Sequence, residues 1–244
     1  MPQWLNLTRD EIGAAARSGA VAVLPVGAVE QHGAHLPTGT DALLAARAVA
    51  AAIEHTGDIA LPVVSYGCSL GHTDHWPGTL SLSVSALTAM MNDIGRWVHA
   101  SGFRKLIVVN SHATNGPPCQ SSLLALRYEL PDLRTRFVSL YDITTQATAG
   151  YLDDADDPHA NEAETSMVMH IHPELVHLER AVDEVDRTVG RVFTYSMPQV
   201  TVSGVVGSPT AASAASGEVL FTTIVEGITE LLIRARAETE PRLT

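Results

Sequence analysis

The apolar positions of this chain fall into short solid runs separated by longer stretches with helical spacing. Residues 20–26 (AVAVLPV) and 105–110 (KLIVVN) are dominated by Ala, Val, Ile and Leu, the pattern of strands buried on both faces of a sheet. Residues 60–66 (ALPVVSY) are a further strand candidate, and 137–140 a weaker one. Between the strands, 41–54 (DALLAARAVAAAIE) is rich in strong helix formers. Residues 83–100 have a helical pattern with Gly102 placed to end it, and 117–130 open with a proline suited to a first turn. Residues 162–172 and 216–236 add two more helices, and the small residues of 204–217 read as a long loop. Strands alternating with helices predict an α/β fold: a mostly parallel sheet covered on both faces. No repeat or low-complexity linker divides the chain, so residues 1–244 are expected to form one domain.

Composition narrows the function classes. A chain of 244 residues with 45% hydrophobic and 17% charged residues can bury a sizeable core and is not disordered. A formal net charge of −12 disfavours nucleic acid and anionic membranes as partners. No apolar run approaches a membrane span, and the first residues lack a basic stretch followed by an apolar one. Two cysteines, Cys68 and Cys119, are too few for a disulfide framework, which suits a reducing, cytoplasmic setting.

The polar chemistry sits just past the predicted strands. Glu30 and His32 follow the first, His72, Asp74 and His75 the second, and His112 the run 105–110, while His159, Glu162 and Glu164 enter a predicted helix. In a parallel sheet these loops share one edge, where open α/β sheets bind ligands. Six of the eleven histidines lie in them: His32, His35, His72, His75, His112 and His159. Imidazole with carboxylate and no thiolate suits Zn²⁺, Mn²⁺ or Fe²⁺. Gly33, Pro37 and Gly39 let the first loop fold back, so that Glu30, His32 and Asp41 can reach one point. Asp41 also suits a helix N-cap, and Glu162 and Glu164 suit a helix N-terminus. For proton transfer, His159 is the first candidate and Glu162 the second. None of the four loops carries Lys or Arg, which argues against a phosphate-ester hydrolase. A metal-stabilised binding protein without turnover is the alternative to an enzyme. It would have its coordination filled by protein, whereas a catalytic site keeps water positions open.

Four motifs give the chain a resemblance. GAVEQHGAHLPTGTD (27–41), GHTDHWPGTLSL (71–82), NSHATNG (110–116) and HANEAETS (159–166) are similar, in the same order, to those of the creatininase family of metal-dependent amidohydrolases. The resemblance implies a three-layer α/β/α sandwich with two divalent metal ions per subunit, Zn, Mn or Fe. It implies that Glu30 and His32 bind different ions, that Asp41 bridges them, that His112 joins Glu30, and that Glu164 serves the second ion. It places His159 near substrate. Implied substrates are small amides: cyclic amides, formamides, or the peptide bond cut in mycofactocin maturation. A homo-oligomer, often a hexamer, is also implied. The chain departs from creatininase itself at Thr114, where that enzyme has a glutamate ligand. It also lacks tryptophan between Tyr141 and His159, where creatininase sets tryptophans over its substrate, so creatinine is not the expected substrate.

Overall fold

The computed structural model describes residues 3–241. Its strands are β1 (Ala22–Val26), β2 (Ile59–Ala60), β3 (Lys105–Asn110) and β4 (Arg134–Ser139), all parallel, in the order β2-β1-β3-β4. The helices are α1 (Arg9–Arg17), α2 (Thr40–Thr56), α3 (Val84–Ala100), α4 (Gly116–Glu129), α5 (Thr145–Tyr151), α6 (Glu162–Ile171), α7 (Met197–Val200) and α8 (Ala214–Ala237).

Alternation along the central strands builds two cores. Val23, Ile107 and Val109 face one side, with Leu44 and Ile53 of α2, Met167 of α6 and Ile224 of α8. Ala22, Leu24, Val26, Leu106 and Val108 face the other, with Ile12 of α1, Leu87 and Met91 of α3 and Leu126 of α4. Period-two burial on both faces produces three layers. The predicted α/β/α sandwich is therefore the observed one.

Three differences from the sequence expectation have local causes. The strand expected over 60–66 is a two-residue strand continued only by an isolated bridge from Val64 to Val26. Val21 and Val23 accept from Ile59 N and Leu61 N, so Pro25 is the next residue of β1 to face β2, and it has no N–H to offer the Leu61 carbonyl; pairing resumes one residue out of step, with Val64 N donating to the Pro25 carbonyl at 3.0 Å. The strand expected over 137–140 begins earlier, at Arg134, because polar Arg134, Thr135 and Arg136 mask its start. Helix α1, which the apolar pattern did not predict, buries a single residue, Ile12. Its start is set by a capping box in which Thr8 and Glu11 exchange hydrogen bonds.

Helices α6 and α8 pack through Gly217, where a Cβ would lie 1.9 Å from the carbonyl oxygen of Ser166. Backbone is the obstacle, so the helices must separate to admit a methyl group. Gly217→Ala is expected to destabilise the protein by about 3 kcal/mol, the upper range for overpacking. Urea unfolding with an unchanged midpoint would contradict this close approach. Among the described residues, no helix is long and apolar enough to cross a membrane.

Candidate functional site

Because all four strands are parallel, their carboxyl ends meet at one edge. β1 runs into the loop of Glu30 and His32, and β3 ends two residues before His112. The first loop turns back at once into α2, which carries Asp41 in its first turn. That return requires Gly27, since a Cβ there would sit 2.3 Å from the backbone nitrogen of Ala42. Ser111 secures the approach by donating its hydroxyl to the Asp41 carbonyl at 2.6 Å. Asn161 caps α6 by accepting from Glu164 N, which brings Glu164 to the same edge.

Glu30, His32, Asp41, His112, His159 and Glu164 are all at least nine-tenths buried and gather there. His32 Nε2 lies 3.5 Å from Asp41 Oδ1 and 3.8 Å from Glu164 Oε2. His112 Nδ1 lies 3.5 Å from Asp41 Oδ2, and its Nε2 3.1 Å from Glu30 Oε2. His159 Nδ1 is 3.4 Å from Glu30 Oε1. Glu164 is held from both sides: Tyr151 donates its hydroxyl to Oε1 at 2.9 Å, and Ala160 N donates to Oε2 at 2.7 Å. His112 Nε2 is also 3.1 Å from both Ser69 Oγ and the Cys68 carbonyl, and 2.6 Å from Thr114 Oγ1.

Two residues join the cluster although the sequence reading gave them no role. His72 Nδ1 is 3.2 Å from Glu30 Oε1, and its ring centroid is 4.5 Å from that of His159. Tyr151 is buried and bonded to Glu164. The polar loop after the second strand signalled His72, whereas nothing in the sequence signalled Tyr151. Glu162 does not join. Its carboxylate accepts from Ser166 Oγ at 2.7 Å, one turn along the same helix, and it does not line the cavity described below. His75 is exposed and packs against Trp76. His35 is buried to one side, with Nε2 3.0 Å from Thr165 Oγ1.

The electrostatics are those of a pocket short of positive charge. Burial opposes a proton on His32, yet Asp41, Glu164 and Glu30 override it and raise the imidazole to about 10. Burial, reinforced by Asp41, lifts Glu30 to about 7 against the pull of His112 and His32. Glu164 is raised chiefly by burial. His159 and His72 are driven down, first by burial and then by neighbouring imidazoles, His72 to about 3. Eight buried side-chain polar atoms among the described residues lack a hydrogen-bond partner, and four of them are here: both Glu30 oxygens, His32 Nε2 and Asp41 Oδ2. Buried polar atoms are seldom left unpaired, so this concentration fits a cation. Three groups of buried donors have one ligand atom per residue within 4.8 Å of the others: Glu30, His72 and His159; His32, His159 and Glu164; Glu30, His32 and Asp41.

The cluster opens into a cavity of about 500 Å³ whose lining includes Glu30, Asp41, His72, Tyr141, Asp157 and Tyr195, and no Lys or Arg. That volume suits a small organic ligand. Loop 201–207 contributes Val206 to the lining. The loop pairs with His159 through Val206 at 3.0 and 2.8 Å and is clamped by Glu184, which accepts from Val202 N at 2.6 Å and from Ser203 N at 2.8 Å. Burial raises the Glu184 carboxyl, but hydrogen bonds from Ser203, Thr201 and Val202 outweigh it and bring the group down to about 2 from 4.5. A depressed folded-state value means that the clamp is fully formed above pH 4.5. Its stabilisation fades as the pH falls and is gone below about 2. In wild type it is expected to supply about 1 kcal/mol at pH 7, after screening by water. Glu184→Gln should lower the melting temperature at pH 7 and lose that deficit near pH 2. A deficit that persists at low pH would show that the carboxylate charge is not its source.

The creatininase family pattern, described as creatinine amidohydrolase, matches residues 5–232. The mycofactocin precursor peptide peptidase of Mycolicibacterium smegmatis is 30% identical over 232 residues, covering 91% of this chain and 88% of that one. The creatinine amidohydrolase of Pseudomonas putida is 31% identical over 246 residues, covering 93% and 94%. A solved creatininase superposes with a TM-score of 0.84 at 30% identity, over 98% of this chain and 99% of the other. Two further creatininase structures are described as a mutant of Zn-Zn type (TM-score 0.82, 30% identical, 95% and 96% covered) and as Creatininase Mn (0.83, 30%, 96% and 97%). The named relatives are hydrolases of carbon–nitrogen bonds, they match nearly end to end, and the sheet edge built from the four motifs is the one described above. This chain belongs to the creatininase family.

Proposed function

We propose that this protein is a metal-dependent amidohydrolase that cleaves the C–N bond of a small amide with water at a pair of divalent ions. The supporting observation is the disposition of Asp41. Its Oδ1 faces His32 and its Oδ2 faces His112, each at 3.5 Å, as a carboxylate shared between two ions requires. Glu30 and His112 would hold one ion, and His32 and Glu164 the other. With fewer protein donors than two ions can accept, positions remain for water. Bound there, Zn²⁺, Mn²⁺ or Fe²⁺ would supply a water of lowered pKa and a Lewis acid for the amide oxygen.

The chain's own residues handle the protons. His159 Nε2 is 2.8 Å from the Gln31 carbonyl, which can only accept, so the ring proton sits on Nε2. Nδ1 is left as the free base, directed at Glu30. Burial keeps the ring neutral before the reaction. His159 then takes a proton at Nδ1 and returns it to the departing nitrogen, the task of a general base and acid. Glu162, engaged by Ser166, serves the start of α6 instead. Tyr151 and Ala160 N fix the Glu164 carboxylate, and such outer contacts orient ligands.

The substrate class is a cyclic amide, a formamide or a short peptide-like amide. The relatives named for creatinine and for a precursor peptide both fall within it. In the segment from Tyr141 to His159, where the resemblance to creatininase would put tryptophans, the cavity is lined by Tyr141 and Tyr151 and by no tryptophan, which supports a substrate other than creatinine. Exposed Val185, Val189, Val192 and Phe193 support a homo-oligomer. Dialysis against a strong chelator is expected to abolish hydrolysis across a panel of such amides, and added Mn²⁺ or Zn²⁺ to restore it. Full activity in metal-free protein would refute the proposal.

A further inference from the structure

We propose that His72 is a catalytic residue of this cavity, a neutral imidazole whose Nε2–H donates a hydrogen bond to the amide oxygen of the substrate as that oxygen gains charge. The assignment rests on the reading of the cavity as a site of amide hydrolysis.

Its protonation follows from the neighbouring amide. Gly33 N donates to Gln31 Oε1 at 3.0 Å, which identifies the oxygen of that side chain. The Gln31 nitrogen therefore faces the Gly204 carbonyl at 3.2 Å and two ring nitrogens, His72 Nδ1 and His159 Nε2, at 3.1 Å each; His159 Nε2 directs its own proton to the Gln31 carbonyl at 2.8 Å, so the two amide hydrogens go to Gly204 and His72. An amide NH₂ only donates, so His72 Nδ1 accepts and carries no proton. Protonating Nδ1 to serve Glu30 Oε1, 3.2 Å away, would set two N–H groups against each other across the 3.1 Å contact with Gln31. A neutral ring with Nδ1 bare has its proton on Nε2.

That proton is available. Nε2 has no partner among the described residues, and His72 lines the cavity with Glu30, His112 and His159. Its ring centroid is 4.5 Å from that of His159 and 6.4 Å from that of His112. Three hydroxyls at the carboxylate cluster are already committed, Ser111 to the Asp41 carbonyl, Thr114 to the Cys68 carbonyl and Tyr151 to Glu164, and a fourth, Ser69, lies against His112 Nε2 at 3.1 Å. With no Lys or Arg in the lining, the His72 N–H is a fixed donor that needs no reorganisation when charge develops. This is the property that makes an oxyanion donor effective.

The test compares two amides of different reach in the metal-loaded enzyme. His72→Asn places its amide near the Nδ1 position and keeps the Gln31 contact, while His72→Gln extends to the Nε2 position. His72→Asn is expected to lower kcat by about 10²–10³, the effect of losing one oxyanion donor, with KM and metal content unchanged. His72→Gln should recover at least about tenfold of that loss. Independently of activity, long-range ¹H–¹⁵N spectra of histidine-labelled protein should show His72 as the Nε2–H tautomer, and Gln31→Glu should convert it to Nδ1–H. An Nδ1–H tautomer in the wild type, kcat within twofold of wild type in His72→Asn, or loss of metal in both variants would overturn the assignment. Wild-type protein that binds ions but hydrolyses none of the amide panel would instead refute the amidohydrolase reading, and this proposal with it.

Discussion

Asp41→Asn is expected to reduce hydrolysis by on the order of 10³-fold or more and to leave the purified protein with less than its full metal content. The change is nearly isosteric, so the hydrogen bond from Ser111 to the residue 41 carbonyl, 2.6 Å long, should survive. What changes is the charge and donor capacity of a side chain whose two oxygens face His32 and His112. Divalent ions contribute several kcal/mol of transition-state stabilisation, and each factor of ten in rate is about 1.4 kcal/mol. A bridging ligand therefore bears on the larger part of the rate. Thr114→Ala is the contrasting case: its hydroxyl touches His112 Nε2 and the Cys68 carbonyl, so its loss should cost far less. Elemental analysis together with steady-state rates separates the two. Equal losses in both variants would argue against a bridging role for Asp41.

His159→Ala should lower kcat by about 10²–10⁴, the usual scale for a positioned acid–base group, while metal content stays close to wild type. The reasoning is positional. The Gln31 carbonyl holds the Nε2 proton, so Nδ1 is the only nitrogen free to exchange a proton over Glu30. His159 also belongs to two of the three donor groups that could hold an ion, so metal content decides between the roles. Loss of an ion together with activity would make His159 a ligand. Retained ions with lost activity would make it the proton carrier. The backbone pairing of residue 159 with Val206 does not involve the side chain, so a collapsed fold is not the expected outcome.

Much of the scaffold was legible because burial on both faces leaves a strong mark. The solid apolar runs at 20–26 and 105–110 became the two central strands, and the Ala- and Leu-rich stretch 41–54 became α2. The edges were harder. β4 hides behind arginines, and Pro25 of the neighbouring strand cuts β2 short, a consequence that depends on which residues face which neighbour. At the site, the residues of the first, third and fourth motifs were nameable from spacing and resemblance, and the structure places all of them but Glu162 at one sheet edge. His72 was visible as a polar residue after a strand but had no stated partner. Tyr151 carried no signal, because a buried tyrosine in a short helix looks like ordinary core until its hydroxyl is found on Glu164.

The chain's own pattern determined the layering, the parallel sheet and the edge at which chemistry gathers. These follow from local periodicity and from chain order, which a sequence states directly. Only the tertiary structure decided which oxygen of Asp41 faces which histidine, that Glu162 turns to Ser166 rather than to the cavity, and that the Gln31 side chain meets His72. Those outcomes depend on side-chain direction and on contacts between residues as much as 173 positions apart, such as Gln31 and Gly204. No local spacing encodes them, because hydrogen bonds are directional and the geometry that satisfies them exists only once the loops are packed.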